Sequence, residues 1–109
     1  DRYYDGYCKF FLFGDTKDEI PDNIKIFNKV GLAYGFAIDN AYIIDTKNNI
    51  EFLLTAVIYS NSNQTMNDDE YDYEKISIPF LASLGRIIYD LELRRVKKIL
   101  PDLSLFKTI

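Results

Sequence analysis

The chain has 109 residues, of which 48% are hydrophobic and 16% aromatic, so we expect one folded domain with a packed core. Its net charge of −4 argues against a nucleic-acid surface, which needs a clustered basic face. It has no histidine and one cysteine, Cys8, which excludes Ser-His and Cys-His nucleophiles and an internal disulfide within these residues. We expect no cofactor and no metal site. No apolar run reaches the ~18 to 20 residues that a membrane-spanning helix needs.

The first 23 residues contain an aromatic stretch and a polar loop. The stretch "YCKFFLFG" fits either a short helix that ends at Gly14 or a strand, and its length does not decide between them. In the polar loop that follows, Pro21, Asp22 and Asn23 predict a turn.

Three strands are predicted next, over residues 24–30, 36–45 and 50–60. Asn48 and Asn49 favour a turn between the last two, because asparagine tolerates left-handed backbone angles, so these strands should form a long antiparallel hairpin. Both faces of the third strand are nearly apolar. That pattern is typical of a strand in the interior of a sheet.

A long helix is predicted from residue 72 to about residue 98, with Pro79 marking a kink or a second start and Pro101 ending it. Gly85 is expected to permit close approach of this helix to the sheet. The helix dipole explains a basic group in its last turns, which consists of Arg94, Arg95, Lys97 and Lys98. The apolar stripe at helical spacing comprises Leu81, Leu84, Ile87, Ile88 and Leu91.

The fold class predicted from these elements is α+β, an antiparallel sheet of at least three strands backed by a long C-terminal helix. One helix can cover one face of such a sheet, and residues 1–14 are expected to cover part of the other. One long helix and a short N-terminal segment are too few elements to bury both apolar faces of the sheet. Either a second chain supplies the rest or the sequence belongs to a larger fold.

The main candidate site is the series Lys29, Val30 and Gly31 in the first predicted strand. One interpretation is a lysine that extends to solvent, followed by a glycine at a bend. The other is an edge strand beside a catalytic cleft. There Lys29 would attract an anionic substrate, Gly31 would allow close backbone approach, and the amide of Leu32 would donate to an oxyanion.

Three further groups are interpreted as structural. The acidic group at residues 68–74 lacks the ligand order of a calcium loop, and acidic residues stabilise a helix N-terminus. Ser104 and Lys107 match S-x-x-K, but no helix is predicted there to hold their spacing. Asp39 and Asn40 lie among apolar neighbours, and we expect them to face solvent in a twisted strand.

The order of segments resembles the C-terminal part of the serine β-lactamase and penicillin-binding-protein superfamily. A strand ending in Lys-x-Gly precedes a two-stranded hairpin, and a long helix follows. The stretches "FNKVGLAYGFAIDNAYIID", "EFLLTAVIY" and "PFLASLGRIIYDLE" look like those of β-lactamase-like serine hydrolases from Bacteroides-type bacteria. The resemblance covers roughly residues 10–96 and implies a partial β-lactamase or DD-peptidase-like fold.

The resemblance implies roles for the candidate residues. Lys29 would bind the substrate carboxylate and tune the nucleophile, Gly31 would take the glycine position, and the amide of Leu32 would form half of the oxyanion hole. Val30 departs from the Lys-Thr-Gly or Lys-Ser-Gly box of that superfamily. It lacks the hydroxyl that binds a β-lactam carboxylate, which puts antibiotic binding in question.

The nucleophile, the Ser-x-Asn box and the deacylating acid of that superfamily precede the Lys-x-Gly box, and the 28 residues before Lys29 supply none of them. We therefore expect a single domain, residues 1–109, that is a C-terminal fragment and inactive alone. Its expected partners are the missing N-terminal part or a second copy, and a small-molecule or peptide substrate. The resemblance implies a periplasmic or extracytoplasmic location. The alternative is a small non-catalytic module that dimerises.

Overall fold

The structure is a computed structural model that describes residues 4–60 and 72–108. It is α+β, with a three-stranded antiparallel sheet and a C-terminal helix, so the predicted class is confirmed. Residues 68–70 of the acidic group, and most of the loop predicted before the helix, lie outside the described residues. The elements are α1 (Phe10–Phe13), β1 (Ile24–Ala33), β2 (Phe36–Asp45), β3 (Ile50–Tyr59), a π-helical turn (Tyr73–Ser77), α2 (Ile78–Arg94) and a 3₁₀ helix (Ser104–Thr108).

Two tight turns connect the strands. Tyr34 and Gly35 have φ angles of 53° and 89°, so the β1–β2 hairpin closes over two residues with left-handed backbone, which glycine adopts without steric cost. This hairpin extends β1 to Ala33, three residues beyond the predicted strand. Asn49 at the β2–β3 turn has a φ of 54°, as expected for the asparagine turn.

The sheet order is β1-β2-β3, so β3 is an edge strand among the described residues and the prediction of an interior strand is wrong. Its two apolar faces have different surroundings. One face packs towards α2, while the other leaves Leu53 79% and Val57 58% exposed. The apolar residues on both faces of β3 therefore indicated that both faces need packing partners. They did not indicate that a second strand pairs with the outer edge of β3.

The core lies between the sheet and α2, and the N-terminal segment belongs to it. Residues 1–14 were expected to cover the opposite face, but Phe10, Phe11 and Leu12 pack with Leu81 of α2 on the same side. The remaining buried members of this cluster are strand residues, Ile24, Ile26, Ala37, Ala41 and Ile43. The physical reason is a buried carboxylate on that face, Asp39, which accepts hydrogen bonds from this segment's backbone.

The opposite face of the sheet, called the open face below, is covered only in part. The ring of Phe106 packs against Phe27 and Tyr42, with ring centres 5.8 and 6.0 Å away, so the C-terminal segment supplies some of the cover. Leu53 and Val57 lie beyond it and remain exposed. The open face consists of Lys25, Phe27, Lys29, Gly31, Ala33, Phe36, Ile38, Asn40, Tyr42, Ile44, Glu51, Leu53, Thr55, Val57 and Tyr59.

The predicted helix is divided and shorter than expected. Pro79 lies in the first turn of α2, directly after the π-helical turn. Because Ser77 and Ile78 keep right-handed helical angles, the helix changes type there without a second start. The helix ends at Arg94 because Arg95 is extended, well before Pro101. Gly85 does allow a close approach, but to α1: a Cβ there would lie 2.7 Å from the backbone nitrogen of Leu12.

Candidate functional site: the outer edge of β1

The outer edge of β1 presents backbone groups that the sheet does not use. The Nζ of Lys9 lies 3.0 Å from the carbonyl oxygen of Ile26, and the Nζ of Lys29 lies 3.2 Å from that of Val30. These two carbonyls therefore point away from β2. Because backbone groups alternate in direction along an antiparallel strand, the N–H of Leu32 also points outwards at this edge.

Lys29 and Gly31 lie on the open face, opposite Asn40 and Ile38 of β2. The Lys29 side chain is exposed and its ammonium returns to the strand edge at the Val30 carbonyl. A Cβ at Gly31 would lie 2.9 Å from Cγ2 of Ile38, so the glycine makes room for that side chain. Packing against Ile38 is therefore enough to explain a glycine at position 31, without any contact to a substrate.

A cavity of about 400 Å³ lies beside the β1 edge. Leu32 lines it and Lys29 and Gly31 do not, so the structure brings only one of the three predicted site residues to the cavity itself. Its walls come from the N-terminal segment, from β1 and from the start of α2. The polar or aromatic lining residues are Tyr4, Tyr7, Cys8, Phe10, Asp15 and Glu74.

The charge of this cavity is set mainly by two carboxylates. Asp15 accepts two hydrogen bonds from Arg86, at 2.9 and 2.8 Å, and this guanidinium holds the pKa of Asp15 below its ordinary value. Arg86 also donates to the carbonyl of Leu12 at 2.7 Å. Glu74 is an exposed carboxylate at the same cavity. Lys9 and Lys29 lie at the strand edge but do not line the cavity, and the Nζ of Lys17 lies 5.7 Å from the ring centre of Tyr4 in its wall.

Asp39 was expected to face solvent, and it is instead fully buried, whereas Asn40 is exposed as expected. The Oδ2 atom of Asp39 accepts hydrogen bonds from the backbone N–H groups of Phe10 at 3.0 Å and Phe11 at 3.2 Å. Its Oδ1 accepts one from Nδ2 of Asn28 at 3.0 Å. Asp39 therefore attaches the N-terminal segment to the sheet. The sequence carried no signal of this role beyond an aspartate among the apolar residues of a predicted strand.

A second polar cluster, centred on Asp45, fastens the β2–β3 turn to α2. Asp45 accepts hydrogen bonds from Asn23, from Asn48 and from the hydroxyl of Tyr89. Burial alone raises the pKa of Asp45, but the hydrogen bonds from Asn48, Tyr89 and Asn23 outweigh it and hold that pKa below its ordinary value. Burial and the bond to Asp45 raise the pKa of Tyr89 to about 12. The sequence signal was an aspartate at the end of a strand before an asparagine-rich turn.

The other sequence candidates are not brought into a site. Ser104 and Lys107 lie in a 3₁₀ helix that the sequence did not predict, and both side chains are exposed. Of the basic group only Arg94 lies within α2; Arg95 pairs with Glu92, and Lys97 donates to the carbonyl of Asn49 at 2.6 Å.

Within residues 4–60 and 72–108, no group of three or more His, Cys, Asp or Glu side chains is arranged to hold a metal ion. Among the helices of this same part of the chain, none combines the length and the apolar character needed to cross a membrane. Comparison of the chain with protein-family models, with curated proteins and with solved structures finds no match.

Proposed function

We propose that this chain is the C-terminal part of a β-lactamase-like serine hydrolase. Such an enzyme transfers an acyl group from a β-lactam, a peptide or an ester to a serine and then hydrolyses the acyl-enzyme. In this proposal the chain supplies the Lys-x-Gly strand and half of the oxyanion hole, and upstream sequence supplies the serine. A partial β-lactamase or DD-peptidase-like fold and a location outside the cytoplasm belong to the same proposal.

The observation that carries the proposal is the geometry of the β1 edge. The N–H of Leu32 points out of the sheet beside a cavity of about 400 Å³. A backbone donor that the sheet ladder does not use is what an oxyanion hole requires. The ammonium of Lys29 lies at the same edge, 3.2 Å from the carbonyl of Val30.

Each residue then has a limited role. Leu32 would stabilise the oxyanion through its N–H, and Lys29 would attract an anionic group of the substrate. Because Glu74 lines the cavity, we expect that anionic group to lie at Lys29 rather than inside the cavity. Val30 offers no hydroxyl to a β-lactam carboxylate, so we expect weaker binding of β-lactams than of esters.

The test uses the protein with its upstream sequence and a chromogenic ester. Leu32→Pro removes the outward N–H without breaking a sheet hydrogen bond, and should lower kcat about 100-fold, as for other oxyanion donors. Thr55→Pro is the matched control, because it removes an outward N–H from the opposite edge of the sheet. We also expect Lys29→Ala to raise KM for anionic substrates, while Lys25→Ala, on the same strand and face, leaves it unchanged.

Three results would contradict this proposal. Equal loss of activity in the two proline variants would show that proline acts through stability rather than through the oxyanion. Hydrolysis of a chromogenic cephalosporin or an acetate ester by the 109-residue chain alone would show that the nucleophile is within it. A start codon beside Asp1, in place of an upstream S-x-x-K box, would remove the source of the serine.

The second candidate is a small non-catalytic module that associates through its sheet. The exposed apolar side chains of the open face favour it, with Leu53 79% and Val57 58% accessible. A chain that is a stable dimer and has no hydrolase sequence upstream would support this candidate over the first.

A further inference from the structure

The cavity beside the β1 edge contains two carboxylates that differ in how their charge is offset. Asp15 is paired with Arg86, whose guanidinium donates to both carboxylate oxygens at 2.9 and 2.8 Å. Glu74 lines the same cavity and is exposed, and no residue in the described part of the chain forms an ion pair or a hydrogen bond with its carboxylate. The negative charge of Glu74 is therefore available to a ligand, and that of Asp15 is not.

Much of the remaining wall is apolar. The lining side chains without a hydrogen-bonding group are Phe10, Val30, Leu32, Ile78 and Pro79. A charge beside such a wall is screened less than a charge in open solvent, because the protein has a lower dielectric constant than water. The volume of about 400 Å³ lies at the small end of the range of roughly 300–1,000 Å³ that is usual for ligand pockets. The cavity therefore suits a small group that joins hydrocarbon to a positive charge.

The ring of Tyr4, which also lines the cavity, already holds an ammonium group. The Nζ of Lys17 lies 5.7 Å from the centre of this ring, within the distance at which a cation is attracted to an aromatic face. Lys17 is exposed and does not line the cavity, so its ammonium does not fill the space beside Glu74. Solvent screens the repulsion between Lys17 and a cation inside the cavity.

We propose that the cavity binds an organic ammonium group, with the positive charge at Glu74 and the hydrocarbon against the apolar wall. As a statement about substrates, this inference rests on the hydrolase proposal. The substrate would carry an ammonium substituent that enters the cavity, while its anionic group lies at Lys29. The substrate class is then a zwitterionic ester or peptide. Binding of the ammonium itself needs no serine and is measurable with the 109-residue chain.

The first experiment measures binding to the 109-residue chain by NMR titration. The probe is n-butylammonium, and n-butanol and butyrate are its uncharged and anionic counterparts. Butylammonium should shift the backbone amide signals of Gly6, Gly14 and Leu32, which line the cavity. It should bind about fivefold more tightly than butanol, which is the effect of one partly screened charge pair. Butyrate should leave these signals unchanged.

Variants of Glu74 test whether its carboxylate is responsible. Glu74→Gln keeps the shape and removes the charge, so butylammonium should bind no more tightly than butanol. Glu19→Gln is the matched control, because it removes a carboxylate from an exposed position outside the cavity and should leave binding unchanged. Glu74→Lys should reverse the preference, so that butyrate shifts the cavity amides. Equal binding of the three probes, or an unchanged preference in Glu74→Gln, would overturn the proposal.

The second experiment uses the protein with its upstream sequence and separates this inference from the hydrolase proposal. An ester with an aliphatic ammonium substituent should have a KM about fivefold lower than its uncharged counterpart, and Glu74→Gln should abolish the difference. If the ammonium binds and the longer protein has no hydrolase activity, the hydrolase proposal fails and the ammonium site stands. If both esters are hydrolysed with the same KM and the probes bind equally, the ammonium site fails and the hydrolase proposal stands.

Discussion

The two outer strands of the sheet differ in how their edges are protected. On β1, Lys9 and Lys29 donate to outward carbonyls, and the N-terminal segment is fastened alongside through Asn28 and Asp39. On β3, the outward residues are apolar or uncharged apart from Glu51. The comparison shows that lysine side chains and the N-terminal segment block the β1 edge, whereas Glu51 is the one charged side chain that β3 contributes to its own edge.

The difference depends most on Asp39, so its substitution should have the largest effect. Asp39→Ala leaves the N–H groups of Phe10 and Phe11 buried without an acceptor, and each such group costs about 1 to 3 kcal/mol. We expect the free energy of unfolding in urea to fall by about 4 kcal/mol, a large share of the stability of a small domain. Proteolysis of the N-terminal segment should become faster.

Asn40→Ala is the control for Asp39→Ala, because Asn40 is the next residue and is exposed. It loses one exposed hydrogen bond from the Thr55 hydroxyl, so the variant should cost no more than about 1 kcal/mol. If both variants lost the same stability, the buried carboxylate would not be what attaches the N-terminal segment. The β1 and β3 edges would then differ less than their contacts suggest.

Gly85→Ala tests the contact between α2 and the same segment, with a smaller effect. The added Cβ would lie 2.7 Å from the nitrogen of Leu12 and 2.9 Å from Cβ of Phe11, so the segment must move. Crowding of this kind costs about 1 to 3 kcal/mol, against a gain of about 1 kcal/mol in helix propensity. We expect a net loss of up to about 2 kcal/mol in thermal or urea unfolding.

The control for Gly85→Ala is Ser83→Ala, which also places alanine in the same helix but at an exposed position. It gains helix propensity and loses a 3.3 Å hydrogen bond from Arg86, so it should be close to neutral. A stabilised Gly85→Ala protein would mean that α1 packs less closely against α2 than the distances indicate.

The elements that sequence reasoning located correctly are those with a local cause. Apolar runs bounded by turn residues gave the second and third strands within one residue, and Asn49 gave the turn between them, because each signal lies within the segment that it shapes. Pro79 marked the position at which the helix changes type for the same reason. The predicted end of α2 was wrong, because the residues after Arg94 keep a helix-compatible composition and the chain leaves the helix there without a local break.

The features that the sequence did not reveal depend on distant partners. Asp39 becomes a buried acceptor only because the backbone of Phe10 and Phe11 packs against it. These two residues lie 28 or more positions before Asp39 in the sequence. In the same way, the apolar faces of β3 show that cover is needed and not which segment provides it. At the candidate site, an edge strand was one of two interpretations of the Lys29 series, whereas the cavity beside Leu32 required the N-terminal segment to be placed.

The smallest change in stability is expected for a substitution of Tyr89. This residue ties α2 to Asp45, at the turn between β2 and β3. Tyr89→Phe removes the hydrogen bond to Asp45 and should cost about 1 kcal/mol at pH 7. Because the pKa of Tyr89 is raised to about 12, its hydroxyl stabilises the fold fully below pH 10, and this stability is lost between about pH 10 and 12. The stability of Tyr89→Phe should therefore fall less steeply over that interval.

The lowered pKa of Asp45 acts with the opposite sign. Its contribution is present above about pH 4, the ordinary carboxyl value, and is lost as the pH falls through the lower value of the folded state. Since Tyr89 is one of several donors to Asp45, Tyr89→Phe should reduce this loss of stability at acid pH (the acid limb) without abolishing it. Tyr34→Phe, at the exposed β1–β2 turn, should leave both limbs unchanged. An unchanged alkaline limb in Tyr89→Phe would show that the Tyr89 hydroxyl does not tie α2 to this turn, whatever the other donors to Asp45 contribute.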